Sequence, residues 1–215
     1  MTTTNGSPPT ADGAAGLPEP VLLEIESHLK AREAHRDRLS DRARALRRRA
    51  QAVMQRLHGV GAPAAELEAL RSELAALGGG ADGPLGGDAS VVLDALQEAV
   101  EALLLAAVVA GTPPPTPAGL RVPPEVYLLG LGDLVGEIRR LTLRALAEDR
   151  PEAALALLHL METYYQQLNR FEAPRRIVAL KPKQDTARAL LERTRGEVTL
   201  GLLLARARRR EEPGT

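Results

Sequence analysis

The chain has 215 residues, 28 basic and 28 acidic side chains, no cysteine, and four aromatic residues: Tyr127, Tyr164, Tyr165 and Phe171. Disulfides and thiolate zinc sites are thereby excluded, and the length is enough for one sizeable hydrophobic core. Ala, Leu and Arg dominate, and no run alternates apolar with polar residues between turn signals, so the sequence predicts an all-α protein.

Residues 1–19 are rich in Thr, Gly, Pro and Ser, with neither a basic start nor an apolar centre. They predict a disordered tail rather than a secretory signal. One helical domain is expected over residues 20–210, with a short tail at 211–215. The longest apolar run, Ala102 to Ala110, is too short for a bilayer span of roughly 20 residues. A cytoplasmic protein with no membrane partner is therefore expected.

A helical pattern runs from Val21 to about His58 and stops at Gly59 and Gly61. Leu22, Ile25, Leu29, Arg32, Arg36, Leu39, Ala43, Leu46, Ala50, Val53 and Leu57 recur in the three-four rhythm of a bundle or coiled-coil seam. At 1.5 Å per residue this helix would reach roughly 57 Å, which predicts either a projection past its own bundle or a place in an oligomer interface. Arg47, Arg48 and Arg49 point in three directions, so they do not all serve one site. A second helix is expected from Pro63 to Leu77, followed by a flexible Gly-rich linker over 78–87. Asp88 is a candidate cap for a third helix ending at Ala110.

The third helix carries Asp94, Glu98 and Glu101 on one face, which continues as Leu105, Val108 and Val109. The two glutamates thus fall where the helix turns apolar all round. After the Pro-rich turn Thr112–Pro117 comes a helix from Glu125 to about Ala147. In it Asp133 and Glu137 stand at i, i+4, and their helical neighbours include Val126, Leu129, Gly130 and Leu141. Carboxylates among apolar side chains must be paired, protonated or bound to a cation, since an uncompensated buried charge costs several kcal/mol. Gly130, Gly132 and Gly136 each weaken this helix by nearly 1 kcal/mol, which suggests close approach by a neighbouring backbone. Further helices are expected from Pro151 to about Leu168, briefly within Phe171–Leu180, and from Lys183 to about Arg209.

Charge is segregated along the chain. Residues 30–56 hold ten basic and three acidic residues, 62–101 one basic and eight acidic, and 175–210 eleven basic and three acidic. Basic segments flanking an acidic one suit a polyanion and a cation together, or simple pairing of oppositely charged helices. His28 and His35 read as a solvated face, and His58 as a capping or hydrogen-bonding residue. No phosphate-binding glycine loop, zinc spacing or nucleophile triad is present.

The stretch Tyr127-Leu-Leu-Gly-Leu-Gly-Asp-Leu-Val-Gly-Glu-Ile-Arg-Arg140 resembles the signature helix of the translin superfamily, in its translin-associated factor X-like, archaeal-type nuclease branch. Leu96-Gln-Glu-Ala-Val-Glu101 and the segment Leu180-Lys-Pro-Lys-Gln-Asp185 to Gly196 extend the resemblance, as does the Arg-rich first helix ending at Leu57-His58. The likeness covers about residues 24–202. It implies a seven-helix translin-like bundle with a long first helix, assembled into a hollow homo-octamer that binds single-stranded RNA or DNA. It also implies a Mg²⁺-dependent endoribonuclease (Mn²⁺ being the alternative), with Glu98, Glu101, Asp133 and Glu137 as catalytic and metal-binding acids. The family's basic stretch before the third helix is absent, and the basic residues of the first helix do not align one for one.

The residues support that chemistry independently, because an i, i+3 carboxylate pair facing an i, i+4 pair offers hard oxygen ligands of the kind Mg²⁺ prefers. Arg42, Arg48, Arg49, Arg140, Arg188 and Arg195 are the candidate nucleic-acid contacts, and scarce aromatics favour sequence-tolerant binding. A non-catalytic single-strand-binding scaffold is the competing reading, with the acids merely paired to Arg139, Arg140 or Arg144.

Overall fold

The computed structural model describes residues 16–59, 61–79 and 89–211. The expected N-terminal tail up to residue 15, most of the Gly-rich linker, the Asp88 cap and the last four residues of the C-terminal tail lie outside them. Among the described residues seven helices follow in order: α1 (Glu19–Leu57), α2 (Ala64–Gly78), α3 (Ala89–Ala110), α4 (Pro117–Leu120), α5 (Pro124–Ala147), α6 (Pro151–Leu168) and α7 (Leu180–Glu211). No strand occurs among the described residues, so the all-α expectation holds. No described helix is long and apolar enough to cross a membrane.

The chain divides into two compact units, Met1–Arg38 and Leu39–Thr215. In the first, every described residue is exposed, including the apolar Leu22, Ile25 and Leu29. The regular seam read from the sequence is therefore half buried and half not. Burial starts at Ser40 and continues through Ala43, Leu46, Ala50, Val53 and Leu57. Arg32 and Arg36 fall in the exposed half, which is why two cations in a seam position cost nothing in desolvation.

In the second unit α5 is the central element and packs against α3, α6 and α7, while α2 lies on α3 and α6 on α7. The apolar stripe Val126, Leu134, Ile138 and Ala145 of α5 is buried, and α3 supplies Leu96, Val100, Leu104 and Leu105 to the same core. Each such leucine contributes about 1.5–3 kcal/mol by leaving water. Two threonines buried there are satisfied locally: the Thr142 hydroxyl donates to the Ile138 carbonyl and that of Thr194 to the Leu190 carbonyl.

Element boundaries agree with the sequence reading to within about three residues, with one correction. The short helix expected within Phe171–Leu180 is a turn at 175–177, and the short helix is instead α4. Thr116 caps it, its hydroxyl accepting from the Gly119 N–H at 3.0 Å, and Pro117 takes the first helical position. A Thr-Pro pair supplies both a cap oxygen and a preset φ. Pro182 sits inside the first turn of α7, where its missing N–H removes no hydrogen bond.

Candidate functional site

The expected acids stand on α3 and α5, and glycine governs how closely those helices meet. A Cβ on Gly130 would lie 2.8 Å from Val100 Cγ1 and 3.1 Å from the Gln97 carbonyl oxygen, both on α3. Only a residue without a side chain fits. One turn face away, a Cβ on Gly132 would lie 2.8 Å from Lys183 Cβ, so that glycine lets α7 bring its lysine across α5. Gly136 meets only Leu190, at an ordinary 3.7 Å. Close approach by a neighbouring backbone thus holds at Gly130 alone, while Gly132 makes room for a side chain.

These contacts place a ring of polar partners on three of the acids. Glu98 is paired with Arg47 Nε at 2.7 Å and accepts from the Gln51 side-chain amide at 3.0 Å. Asp133 receives Lys183 Nζ on both oxygens, at 2.6 and 2.8 Å, and the Gln97 side-chain amide on Oδ2. Glu137 is bonded to His58 Nε2 and lies 3.3 Å from Arg140. The other ring nitrogen of His58, Nδ1, is buried without a partner.

Glu101 differs from the other three. It is 8% exposed and forms no hydrogen bond or ion pair with a described residue. Its carboxyl is pushed up to about 8, first by burial and then by the negative charges of Asp133, Glu137 and Glu98, with Lys183 acting in the opposite direction. The other three predicted acids therefore all act on Glu101, which keeps its proton at neutral pH. Along α3 the acidic face grades from exposed Asp94 through half-buried Glu98 to buried Glu101, as the change of face composition in the sequence anticipated.

With side chains so placed, no group of three or more His, Cys, Asp or Glu among the described residues is arranged to hold a metal ion. The physical reason is visible in the pairings: Arg47, Lys183 and His58 hold three of the acids. The donor chemistry nevertheless fits a hard divalent cation. Glu101 has no partner among the described residues, and its retained proton reflects burial first and the neighbouring acids second.

The candidate nucleic-acid contacts divide differently. Arg42 donates to the Ala76 carbonyl, Arg49 pairs with Glu73 at 3.0 Å, and Arg195 is held by Glu162 and Glu192. Arg140 lies against Glu137 while largely exposed. Arg48 and Arg188 are exposed and form no side-chain bond with a described residue. The Arg47–Arg49 triplet does diverge, Arg47 to α3 and Arg49 to α2. Of the arginines that the scaffold reading would pair with the acids, Arg139 goes to Glu197 and Arg144 to Glu148, leaving Arg140 alone. Sequence reasoning missed Arg47, Gln51, Gln97 and Lys183 as partners of the acids. The signal for Lys183 was Gly132, whose vacancy it fills.

No protein-family profile matches the chain. Its fold is similar to crystal structures of C3PO. That of Archaeoglobus matches with a TM-score of 0.72 and 26% identity over 85% of this chain and 97% of that one. The same protein in a duplex RNA complex gives 0.70 and 27% over the same shares. The apo C3PO of Nematostella gives 0.76 and 21% identity over 87% of this chain and 100% of that one. The likeness to the translin superfamily is thus borne out, and the helical architecture is that of C3PO. An uncharacterized protein of Methanocaldococcus jannaschii is 36% identical over 74 residues, which are 34% of this chain and 33% of that relative. The match spans about a third of that protein's length.

Proposed function

We propose that this chain binds RNA and hydrolyses its phosphodiester bonds with the acids of α3 and α5. The observation that carries the proposal is Glu101, a buried carboxyl pushed up to about 8 by burial and three neighbouring acids. A structural bundle gains nothing from a buried carboxyl with three acids beside it, whereas a cation site uses such oxygen ligands. Glu98, Glu101, Asp133 and Glu137 would hold Mg²⁺ or Mn²⁺. Such an ion, when bound, polarises a phosphate and lowers the pKa of an attacking water.

The chain's own groups then have distinct tasks. Glu101 would have to give up its proton for its carboxylate to hold the cation, which would couple binding to pH. Glu137, oriented by His58, would accept the proton of the attacking water instead of holding the cation; as the water oxygen bonds to phosphorus, the bond from phosphorus to the leaving ribose oxygen breaks and that oxygen takes a proton from solvent. Lys183 and Arg47 lie beside the acids and are placed to meet phosphate oxygens once those acids turn to the cation. Arg48 and Arg188, without partners among the described residues, supply further backbone contacts with little base preference and marked salt dependence.

Assembly into a homo-oligomer, expected as an octamer, would use the exposed apolar residues of the first half of α1. The structure of the Archaeoglobus C3PO is known in complex with duplex RNA, so single and double strands both belong in the test, and single-stranded DNA is the further comparison. Labelled RNA is incubated with Mg²⁺ or Mn²⁺, with EDTA, and with Glu137→Gln. Cleavage by the wild type alone, abolished by EDTA, is the expected result. A second reading, a non-catalytic RNA-binding scaffold, is favoured by the pairing of three acids with Arg47, Lys183 and His58. Binding without cleavage under every divalent ion would establish it instead, and light scattering at the mass of one chain would end the octamer proposal.

A further inference from the structure

Three of the four aromatic residues of the whole chain line one cleft. Tyr127 of α5, Tyr164 of α6 and Phe171, just after α6, face a cavity of about 610 Å³ rimmed by Pro114, Pro117 and Pro124. That volume falls within the roughly 300–1,000 Å³ typical of small-ligand sites. The Tyr127 hydroxyl donates to the Pro115 carbonyl at 2.9 Å, which fixes its ring. Tyr164 is almost fully buried, while Phe171 is 46% exposed, an unusual position for the chain's one phenylalanine.

The polar groups at the mouth are Gln167 and Arg170, both exposed. Neither side chain has a partner among the described residues. Arg170 carries the only charge among the described lining residues, and no acid stands opposite it. Burial holds the Tyr127 and Tyr164 hydroxyls above their ordinary range, so both remain neutral and repel no anion. Aromatic faces beside an unpaired guanidinium fit a planar π-system carrying a negative group. A nucleotide is such a ligand, and base–aromatic stacking tolerates any base.

We propose that this cleft holds one nucleotide of a bound RNA strand, its base stacked on Phe171 and its phosphate on Arg170. The proposal rests on the reading that the chain binds RNA, but not on the reading that it cleaves it. Tyr127, Leu128 and Leu131 line the cleft from a face of α5 turned well away from Asp133 and Glu137 at 100° per residue. The cleft and the acids are therefore separately testable. The few aromatics of the chain, which favour sequence-tolerant binding, are concentrated at one place.

The test measures binding of a labelled RNA pentanucleotide by fluorescence anisotropy in EDTA, for the wild type, Phe171→Ala, Phe171→Leu, Phe171→Tyr and Arg170→Ala. Loss of stacking should weaken binding on the order of tenfold in Phe171→Ala and Phe171→Leu, with Phe171→Tyr close to wild type. Arg170→Ala should lower the slope of log affinity against log salt by about one. Saturation-transfer NMR with adenosine 5′-monophosphate should show the base protons in contact with the wild type and not with Phe171→Ala. Unchanged RNA affinity in both Phe171→Ala and Arg170→Ala overturns the proposal. So does a change of assembly mass in sedimentation with RNA affinity intact, which would assign the cleft to a side chain of a second copy. If the wild type binds no RNA at all, the RNA reading itself fails. That outcome overturns the cleft proposal with it, whereas loss of the monophosphate signals in a wild type that does bind RNA overturns the cleft proposal alone.

Discussion

Replacing Glu101 with glutamine removes an ionisable group from the core while keeping its size. In the folded protein this carboxyl titrates at about 8, against 4.5 for the unperturbed group. Below the lower value both states hold the proton, and the group adds no pH dependence. Between the two values the unfolded chain releases its proton and the folded chain keeps it, so stability falls as pH rises, by about 1.4 kcal/mol per unit. Above the upper value the loss levels off, having reached about 5 kcal/mol at most. Glu101→Gln carries no such loss. Urea denaturation at constant ionic strength and in EDTA, from about pH 5 to pH 8.5, should therefore show the variant gaining several kcal/mol on the wild type. Parallel stability profiles for the two proteins would refute the reasoning, since they would mean that Glu101 is not held neutral by its surroundings.

The α3–α5 crossing makes a graded prediction for its glycines. Gly130→Ala forces a methyl against Val100 and the Gln97 carbonyl and should cost about 1–3 kcal/mol in urea denaturation, whereas Gly136→Ala meets ordinary contact distances and should gain up to ~1 kcal/mol from helix propensity. Arg139 is bonded to both Glu197 oxygens at 2.5 and 2.9 Å and to Thr194 at 2.7 Å; Arg139→Met should cost about 1–3 kcal/mol, measured the same way. Mg²⁺ or Mn²⁺ should raise the thermal midpoint of the wild type near pH 8 and leave that of an Asp133→Asn, Glu137→Gln double variant unmoved, which calorimetry would check.

Much of the candidate site was legible because carboxylate spacing and neighbouring apolar residues are local properties. Glu98, Glu101, Asp133 and Glu137 announced themselves by sitting where helix periodicity called for core, and Gly130 by being a poor helix former without a turn to make. Their partners were not legible for the opposite reason. Arg47, Gln51, Lys183 and His58 reach the acids from other parts of the chain, and nothing in a solvated-looking arginine or lysine tells which helix it will touch. The seam of α1 shows the same limit. Its rhythm is equally regular at Ile25 and at Leu46, yet only Leu46 is buried. Periodicity states which face would be covered, not whether anything covers it. The displaced short helix is a matter of competing signals: the proline run before Thr116 reads as a turn, and the Thr-Pro helix start stands at its very end.

From Ala99 to Ala107 every residue of α3 is buried. Backbone amides in such a stretch exchange with solvent only when the whole unit opens, so Glu101 is mounted on one of the least mobile lengths of the molecule. The groups that hold its neighbours are long side chains, Arg47 and Lys183, whose rotamers change on the ps–ns scale when exposed. A cation entering the site would thus meet a fixed frame and movable counter-charges. The reorganisation that accompanies its arrival would be an exchange of partners among side-chain tips rather than a shift of helices, and the backbone would look the same before and after.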